Sequence, residues 1–235
     1  MLAVFKKELR SYFTSVIGYV FLVLFLSVAA IILATTTLYS MSADITSFFM
    51  MMVFVSAIAL PLLTMKSFSE ERKVRTEQLL LTSPVSITGI VFGKFLAAYV
   101  MFAGCILLNT LYFLFLISYA SLKFAILLGN MVAMLLVGMV FIAIGLFVSS
   151  LTENQLSAAI GTIAIILVFL AIGVVSSLLP SSYWLRFVFD FLSIFTRFQT
   201  FVSGYLDFAS LIYYISVAAI FMYLTVRVYD RRRYN

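Results

Sequence analysis

Long runs of apolar residues alternate along the chain with short polar segments. Six runs reach the roughly 20 residues that a helix needs to cross about 30 Å of hydrocarbon. The pattern therefore predicts an all-α integral membrane protein that forms a single transmembrane domain over residues 1–235. The predicted spans are approximately 16–38, 46–65, 92–117, 124–148, 156–179 and 209–227.

Two segments outside the spans have an amphipathic pattern. Residues 2–13 combine apolar and basic positions at helical spacing, which predicts an N-terminal interfacial helix. A basic topology anchor is at least as good an interpretation of this helix as a partner-docking role. Residues 180–208 are too polar to span and too aromatic for a free loop. We expect one or two short interfacial or re-entrant helices there, broken near Gly204, with Arg186 and Asp190 paired across one turn. They either anchor the last hairpin or take part in substrate exit.

Composition places the chain in lipid rather than in water. It is 65% hydrophobic with a mean hydropathy of +1.20, whereas soluble domains are roughly 45–50% apolar and about 25% charged. There is no histidine, and the single cysteine, Cys105, lies within an apolar run. Disulfide frameworks and zinc, haem or iron–sulfur ligation are thereby excluded. We accordingly expect no cofactor and no metal site in this chain.

The spans lack the side chains that most membrane chemistry needs. None holds Asp, Glu or His well inside its apolar run, which disfavours an ion-coupled secondary transporter and an intramembrane protease or lipid hydrolase. The strongest polar residues within the spans are Asn109 and Asn130. We interpret both as side chains that hold helices together by hydrogen bonding. The chain is thus predicted to be no enzyme, and any energy it uses must come from a partner.

Basic residues are distributed unevenly between the two sides of the predicted spans. Twelve Lys and Arg fall on one side and three on the other, which is the bias of cytoplasmic segments, so both termini are predicted to be cytoplasmic. Six acids on the first side leave a charge of +6 there, and three on the second leave zero. Topology accounts for the charge without nucleic-acid binding. The cytoplasmic cations are Lys6, Lys7, Arg10, Lys66, Arg72, Lys73, Arg75, Lys94, Arg227, Arg231, Arg232 and Arg233, and the outer ones are Lys123, Arg186 and Arg197.

The densest charge of the chain lies between the second and third spans. Ser67 and Glu70 have the spacing of a helix capping box, and a further acid and three bases follow closely. This order predicts a short cytoplasmic helix over about 67–81 that receives force from a partner. A solvated loop that only fixes topology is the plainer alternative. The expected ion pairs are Glu70–Lys73 and Glu71–Arg75.

A second helix is predicted to begin directly after this segment. Thr82–Pro84 ends the first helix, because the residue before proline avoids the helical region, and Ser83 can cap the next one. The second helix would run over about 85–117, roughly 50 Å at 1.5 Å per residue, and project beyond the bilayer as a lever. The GIVFGKF stretch at Gly89–Phe95 is no phosphate-binding loop, because it has one residue too few between its glycines.

The stretch EERKVRTEQLLLTSPVSITGIVFGKFLA, residues 70–97, resembles the loop between the second and third spans of type-2 ABC exporter permeases, most closely the gliding-motility-type branch. In that family the loop reads as an acidic pair, basic residues, Gly-Thr, then Glu-Leu-Leu-Leu-Thr-x-Pro-Val. Arg75 stands here where Gly is usual, and Gln78 where Glu is common. The segment FVSGYLDFASLIYYISV also resembles the family's sixth-span region. The matching loop positions are Glu70, Glu71, Thr76, Leu79, Leu80, Leu81, Thr82, Pro84 and Val85.

The resemblance implies a six-helix permease that pairs with a second permease, as a homodimer or heterodimer, and binds a separate cytoplasmic ATPase that holds ATP and Mg²⁺. The helix at about 67–81 would be the coupling helix seated in the ATPase, and the loop at 149–155 a second contact. ATP-driven closure would carry a hydrophobic or amphipathic cargo outward by alternating access. The implied coupling residues are Glu70, Glu71, Arg72, Lys73, Thr76, Glu77, Leu79, Leu80 and Leu81, with Thr152, Glu153 and Asn154 at the second contact.

The same resemblance implies a multi-pass protein of the bacterial cytoplasmic membrane, surrounded by lipid, and leaves room for an auxiliary extracytoplasmic subunit. Two alternatives stay open on the residues alone. One is a non-transporting scaffold that uses the charged segment for docking, and the other is a channel or flippase that runs without ATP. A co-purifying ATPase distinguishes the exporter from both.

Overall fold

The computed structural model describes residues 1–39, 45–76, 85–117, 124–179, 184–202 and 207–234, and the regular secondary structure within them is helical. Six helices in these ranges are long and apolar enough to cross a membrane, which confirms the predicted number of spans. The helices are α1 Leu2–Thr14, α2 Val16–Leu33 with a π-helical continuation Ala34–Leu38, α3 Ile45–Thr64, α4 Lys66–Lys73, α5 Ile87–Ile117, α6 Phe124–Leu151, α7 Gln155–Leu178, α8 Trp184–Leu192, α9 Ile194–Val202 and α10 Phe208–Tyr234. The candidate spans are Val16–Thr37, Ile45–Lys73, Ile87–Phe113, Ile126–Leu151, Gln155–Leu178 and Phe208–Arg233.

Helix α6 forms the centre of the bundle. It packs against α3, α5, α7 and α10, and 78% of its apolar span is buried, compared with 28% for α2 and 33% for α7. Glycines let neighbours approach it closely: a Cβ on Gly138 would lie 2.0 Å from the Phe102 ring, and one on Gly145 would lie 2.1 Å from the Thr64 hydroxyl. Membrane helices associate through such small-residue contacts, because lipid supplies no hydrophobic driving force between them.

The N-terminal amphipathic segment forms the predicted helix, α1, and meets α2 at a sharp bend. Ser15 is extended (φ −96°, ψ 147°), and its side chain accepts a hydrogen bond from the Gly18 amide at 3.4 Å. A Cβ on Gly18 would lie 1.9 Å from the Tyr12 carbonyl oxygen, so glycine permits this approach. The bend brings α1 against α5 and buries Val4 and Tyr12. The placement of α1 at a membrane interface stays a prediction.

Helix α4 does not begin as an independent, capped helix. It follows α3 after one intervening residue, Met65, whose amide donates to the Pro61 carbonyl at 2.9 Å. The predicted capping box is therefore wrong: Ser67 lies inside the first turn of α4, and no side chain of the residue before the helix caps it. Glu70 pairs with Lys66 at 3.3 Å, and the expected Glu70–Lys73 pair is absent from the described ion pairs.

Helix α5 confirms the long helix predicted after the charged segment. The Ser86 hydroxyl accepts a hydrogen bond from the Gly89 amide at 3.2 Å and caps the helix. The helix then runs for 31 residues from Ile87 to Ile117, two residues short of the predicted start. The cap expected at Ser83–Pro84 lies outside the described residues.

Two short helices, α8 and α9, precede α10, as the aromatic outer segment predicts. A break at Ser193 separates them, where the Ser193 hydroxyl accepts a hydrogen bond from the Thr196 amide at 3.0 Å. The predicted Arg186–Asp190 pair is confirmed at 3.6 Å. Gly204, the predicted break, lies outside the described residues. The interfacial or re-entrant placement of these helices stays a prediction.

Asp207 starts the last span as the cap of α10. Its carboxylate accepts hydrogen bonds from the Ala209 amide at 3.1 Å and from the Ser210 amide and hydroxyl at 3.1 and 2.6 Å. The Ser210 hydroxyl, followed by the Ala209 amide, holds the pKa of Asp207 below its ordinary value. The charged form is the one these donors stabilise, and it fixes the start of the helix.

The expected cross-helix hydrogen bonds of the two span asparagines are absent among the described residues. The Asn130 side-chain amide donates to the Ile126 carbonyl of its own helix at 2.9 Å. Its oxygen and both polar atoms of Asn109 have no partner in the described structure. Asn109 instead borders a cavity of about 10 Å³, which is at the lower limit for one water molecule.

Candidate functional site

One buried hydroxyl group fastens α4 to the central helix α6. The Ser149 hydroxyl accepts hydrogen bonds from the Phe68 and Ser69 amides at 3.1 and 3.2 Å, and it donates to the Met65 carbonyl at 3.1 Å. The amides lie at the start of α4, where N–H groups lack partners within the helix. Ser149 is 0% exposed and therefore takes the position that a capping side chain would occupy. This contact explains why Ser67 does not serve as the cap.

Arg72 links α4 to the loop between α6 and α7. Its guanidinium donates to the Leu151 carbonyl at 2.9 Å and pairs with the Glu153 carboxylate at 2.9 Å. The structure thus brings together the two segments that the sequence predicts to contact a partner. The other two predicted loop residues bond locally, since Thr152 donates to an α6 carbonyl at 3.3 Å and Asn154 caps α7.

Lys94 is the buried centre of a charged network. It is 1% exposed, and its ammonium group lies 2.8 Å from a Glu71 oxygen, 3.0 Å from a Glu8 oxygen and 2.6 Å from the Ser67 carbonyl. Three acceptors thus match its three N–H donors. The ammonium also lies 5.0 Å from the centre of the Phe68 ring. We call Lys94, Glu8 and Glu71 the Lys94 cluster; it joins α1, α4 and α5.

From the sequence, Lys94 is only one of twelve predicted cytoplasmic cations, and the cluster is missed. The available signal is a lysine seven residues inside α5, where a charge is costly unless it is paired. Glu71 belongs to the segment immediately before this helix, but Glu8 is 86 residues away in sequence. The expected Glu71–Arg75 pair is absent among the described ion pairs because Glu71 turns inward to Lys94.

Helix α1 adds further contacts beside the Lys94 cluster. The Lys7 ammonium lies 3.4 Å from Glu71 and 3.7 Å from Glu8, so each carboxylate faces two cations. The Tyr12 hydroxyl donates to the Leu63 carbonyl at 3.4 Å. Burial, followed by the nearby charge of Glu8, raises the pKa of Tyr12, which keeps this phenol a neutral donor. These contacts hold α1 against the junction of α3 and α4.

A polar cavity of about 300 Å³ lies between α1 and α4 beside the Lys94 cluster. Its lining contains three cations and three carboxylates, so it offers no net charge that would select an ion. The buried Ser67 hydroxyl on its wall has no hydrogen-bond partner in the described structure. No group of three or more metal-ligating side chains occurs in the part of the chain that the structure describes. The charged residues of the lining are Lys7, Glu8, Lys66, Glu70, Glu71 and Lys94.

The last turns of α10 pack on the other side of α4. The ring centres of Phe68 and Tyr229 lie 4.7 Å apart. Arg232 lies over the Tyr229 ring at 5.4 Å and donates to the Ser150 carbonyl at 2.7 Å. Helix α4 therefore contacts elements from both ends of the chain and from the centre of the bundle.

The predicted coupling residues that the structure describes differ in exposure and in their contacts. Lys73 is exposed, as are its neighbours Val74 and Arg75. Glu71 and Arg72 are instead engaged in the contacts described above. Glu70 and Thr76 are partly exposed. Four further predicted residues, Glu77, Leu79, Leu80 and Leu81, lie outside the described residues.

Helix α4 ends at Lys73 in a Schellman motif, so the predicted continuation of this helix to about residue 81 is wrong. The Thr76 amide donates to the Glu71 carbonyl at 2.9 Å, and the Arg75 amide donates to the Arg72 carbonyl at 3.1 Å. This motif needs a residue in the left-handed region at its turn, usually glycine, and Arg75 has φ 58°. It is the same position at which the resemblance places glycine, so the departure in sequence leaves the backbone turn in place.

Six spans, with a short charged helix between the second and third, also characterise a known family of transporters. The model of the ABC-2 family transporter protein matches residues 2–232. This chain belongs to the ABC-2 transporter family. The ABC-2 permease is accordingly a multi-pass membrane protein and the transmembrane component of a transporter. A comparison with curated proteins finds no match, and the gliding-motility branch stays a prediction.

The match covers α1, α4 and all six spans of the permease. Family membership implies, in general terms, an ATPase partner and a dimeric arrangement. The resemblance seen in residues 70–97 is thus confirmed at the level of the ABC-2 family. The coupling residues inferred from it stay a prediction, for which the geometry of α4 supplies the physical argument.

Proposed function

We propose that this ABC-2 permease is the membrane subunit of an ATP-driven exporter in the bacterial cytoplasmic membrane. It pairs with a second permease copy around a shared pathway, and α4 docks into a separate cytoplasmic ATPase that holds ATP and Mg²⁺. Both termini and α4 are cytoplasmic, and residues 1–235 act as one transmembrane domain. The cargo is hydrophobic or amphipathic and moves outward. Family membership and the uneven distribution of basic residues support the proposal.

The observation that carries this proposal is the attachment of α4 to three other parts of the bundle. Ser149 fastens the start of α4 to α6, Lys94 fastens it to α1 and α5, and Arg72 fastens it to the α6–α7 loop. A force applied to α4 by an ATPase would therefore reach the spans directly. A loop that only fixes topology needs charge but none of these buried contacts.

The exposed end of α4 is the part best placed to contact an ATPase. Lys73, Val74 and Arg75 are exposed there, and the adjacent α6–α7 loop presents the exposed Glu153 carboxylate, paired with Arg72. In the proposed mechanism the ATPase contacts this end, and the inward-facing Lys94 cluster passes its movement to α1 and α5. Docking and transmission thus use different side chains of the same short helix.

The test is to extract the tagged permease in mild detergent and measure which proteins co-purify. We expect an ATPase in about equal amounts with the unmodified chain, and a loss of at least tenfold for the Lys73→Glu, Arg75→Glu double variant. Lys6→Glu is the control, because Lys6 is an exposed cation on α1. The exporter proposal fails if no ATPase follows the unmodified chain even after cross-linking; the scaffold or channel function would then replace it. Equal ATPase binding by all three proteins would refute the role of α4.

A second readout separates an exporter from a scaffold that happens to bind an ATPase. The ATPase activity of the complex is measured with and without the permease in lipid vesicles. We expect the permease to stimulate ATP hydrolysis and the charge-reversal variant to lose the stimulation. Binding without any stimulation would favour the scaffold.

A further inference from the structure

A groove of about 520 Å³ runs between α5 and α10 on the surface of the bundle. Phe92 and Phe95 form its α5 wall, and Ile215 and Met222 form its α10 wall. The small side chains of Ala218 and Ala219 lie in the middle of the α10 wall and leave room between the two helices. The lining is therefore apolar over most of its length. An occupant of this part of the groove would lie in the hydrocarbon region of the bilayer and would have to be apolar too.

The end of the groove nearest the α4 side of the bundle is polar. Thr88, Tyr223, Arg227 and Asp230 line it there. The Arg227 Nε donates to the Tyr223 hydroxyl at 2.6 Å, and the guanidinium lies 5.1 Å from the centre of the Tyr223 ring. No ion pair joins Arg227 to a carboxylate in the described part of the chain. Tyr223 thus holds the Arg227 cation at the mouth of an apolar groove without neutralising it, and the Asp230 carboxylate lines the same end without pairing with that cation.

The dimensions of the groove fit one leaflet of a bilayer. Ile215 and Arg227 are twelve residues apart on α10, which is about 18 Å of helix at 1.5 Å per residue. Half of a hydrocarbon core of about 30 Å is about 15 Å. An acyl chain that lies along the groove would therefore end with its headgroup at the level of Arg227. Guanidinium groups bind phosphate through paired hydrogen bonds. An occupant without a polar headgroup would leave the remaining hydrogen-bond donors of Arg227 unused.

We propose that this groove is a binding site for one phospholipid of the leaflet on the α4 side. An acyl chain lies between Phe92 and Met222, and the headgroup phosphate binds the Arg227 guanidinium. A second copy of the chain is a poorer occupant, because α2 and α7 are the less covered spans, at 28% and 33% buried against 39% for α10. The site requires only that the permease lies in a membrane, so it is independent of the proposed ATPase and cargo.

The experiment uses the full-length permease in nanodiscs that contain a phosphatidylglycerol with a photoactivatable group in its acyl chain. After irradiation, mass spectrometry locates the labelled peptides. We expect the label to concentrate on α10 residues 215–226 and on the α5 segment around Phe92. Ala219→Trp fills the groove and should lower this labelling at least fivefold. Ile212→Trp on the exposed face of the same helix is the matched control and should leave it unchanged.

Arg227→Gln tests the headgroup contact separately from the groove. Native mass spectrometry of the detergent-extracted permease should show one retained phospholipid that this variant loses at least fivefold. Arg231→Gln, which removes an exposed cation one turn further along α10, should retain it. This measurement also serves if Ala219→Trp fails to insert into the membrane.

Three results would overturn the lipid site. Labelling spread evenly over all exposed apolar faces would mean ordinary surrounding lipid. Loss of the retained lipid in both arginine variants alike would mean a general charge effect. A disulfide between two copies of an Ala219→Cys variant would assign the groove to a second permease, since the native Cys105 is buried and does not interfere.

Discussion

At the scale of single residues, the most consequential feature is a charge buried at the start of an apolar helix. Lys94 is 1% exposed, and the side chains of Glu8 and Glu71 are 13% and 14% exposed. Removing one member of a buried ion pair leaves the other as an uncompensated buried charge, which strongly destabilises the fold. Replacing all members of the pair by uncharged residues is often nearly neutral. The Lys94 cluster is therefore sensitive to single substitutions and tolerant of concerted ones.

Lys94→Met should destabilise the permease by about 3 kcal/mol, the lower end of the range for breaking a buried ion pair, because its carboxylates keep some solvent contact. The triple variant Glu8→Gln, Lys94→Met, Glu71→Gln should recover most of that loss, since it leaves no buried charge unpaired. Unfolding in mixed micelles titrated with SDS gives both free energies. A triple variant no more stable than Lys94→Met alone would show that the charges do not act as a cluster.

Arg75→Gly should stabilise the Schellman turn at the end of α4. A non-glycine residue at positive φ costs about 1–2 kcal/mol, and glycine loses about 0.5–1 kcal/mol more through backbone entropy; the expected net gain is about 1 kcal/mol. Arg75→Ala is the control, because it removes the same charge and keeps the strained φ of 58°. The same unfolding measurement compares them, and equal stability of the two variants would contradict the argument.

Residue contacts could be predicted from the sequence only where they are local. The Arg186–Asp190 pair, one helical turn apart, was within reach of spacing rules and is present. Lys94 and Glu8 are 86 residues apart, and no local sequence pattern in either segment indicates that they are in contact. Glu71 illustrates the difference: helical spacing assigns it to Arg75, but the fold offers it a desolvated lysine, which is the stronger partner.

At the scale of elements, the residue pattern predicts the spans and the long α5 helix well and the start of α4 poorly. Span length and apolar runs are properties of one segment, so the pattern of residues suffices. The Ser-x-x-Glu spacing at Ser67 suggested a new helix, but α3 continues almost directly into α4. The acceptor for the first amides of α4 is the Ser149 hydroxyl, about 80 residues away in sequence. A capping rule that uses only residues adjacent in sequence cannot predict this contact.

Ser149→Ala should loosen the start of α4 without disturbing α6. It leaves the Phe68 and Ser69 amides without the hydroxyl they contact, which costs about 1–3 kcal/mol for a buried unsatisfied group. Hydrogen exchange at these two amides should therefore accelerate. Ser150→Ala is a matched control, because Ser150 is equally buried but its hydroxyl donates to the Phe147 carbonyl of its own helix and, in the described structure, not to α4. Equal protection of α4 in both variants would rule out the fastening role of Ser149.

At the scale of the whole molecule, the contacts of α4 define one mechanical unit. Helices α1, α4 and the start of α5 share the Lys94 cluster, whereas α2 and α7 are the spans with the least buried surface. A conformational change that breaks the Lys94 cluster would expose unpaired charges to a poorly hydrated site. In the proposed mechanism, movements driven from α4 should therefore displace α1, α4 and α5 together, and the relative motion should occur at the less buried surfaces between the two copies.

Two distances should respond differently to nucleotide. Spin labels at positions 6 and 66, an exposed site on α1 and a partly exposed site on α4 that the proposed ATPase contact does not use, should keep the same separation with and without ATP in the permease–ATPase complex. A single label at position 66 in each of two copies should change its copy-to-copy distance, because α1, α4 and α5 of each copy move as one body. In the triple variant of the Lys94 cluster, the first distance should broaden while the fold is retained. An ATP-dependent change between positions 6 and 66 in the unmodified cluster would mean that α1 and α4 move separately, and that force leaves α4 only through Ser149 and Arg72.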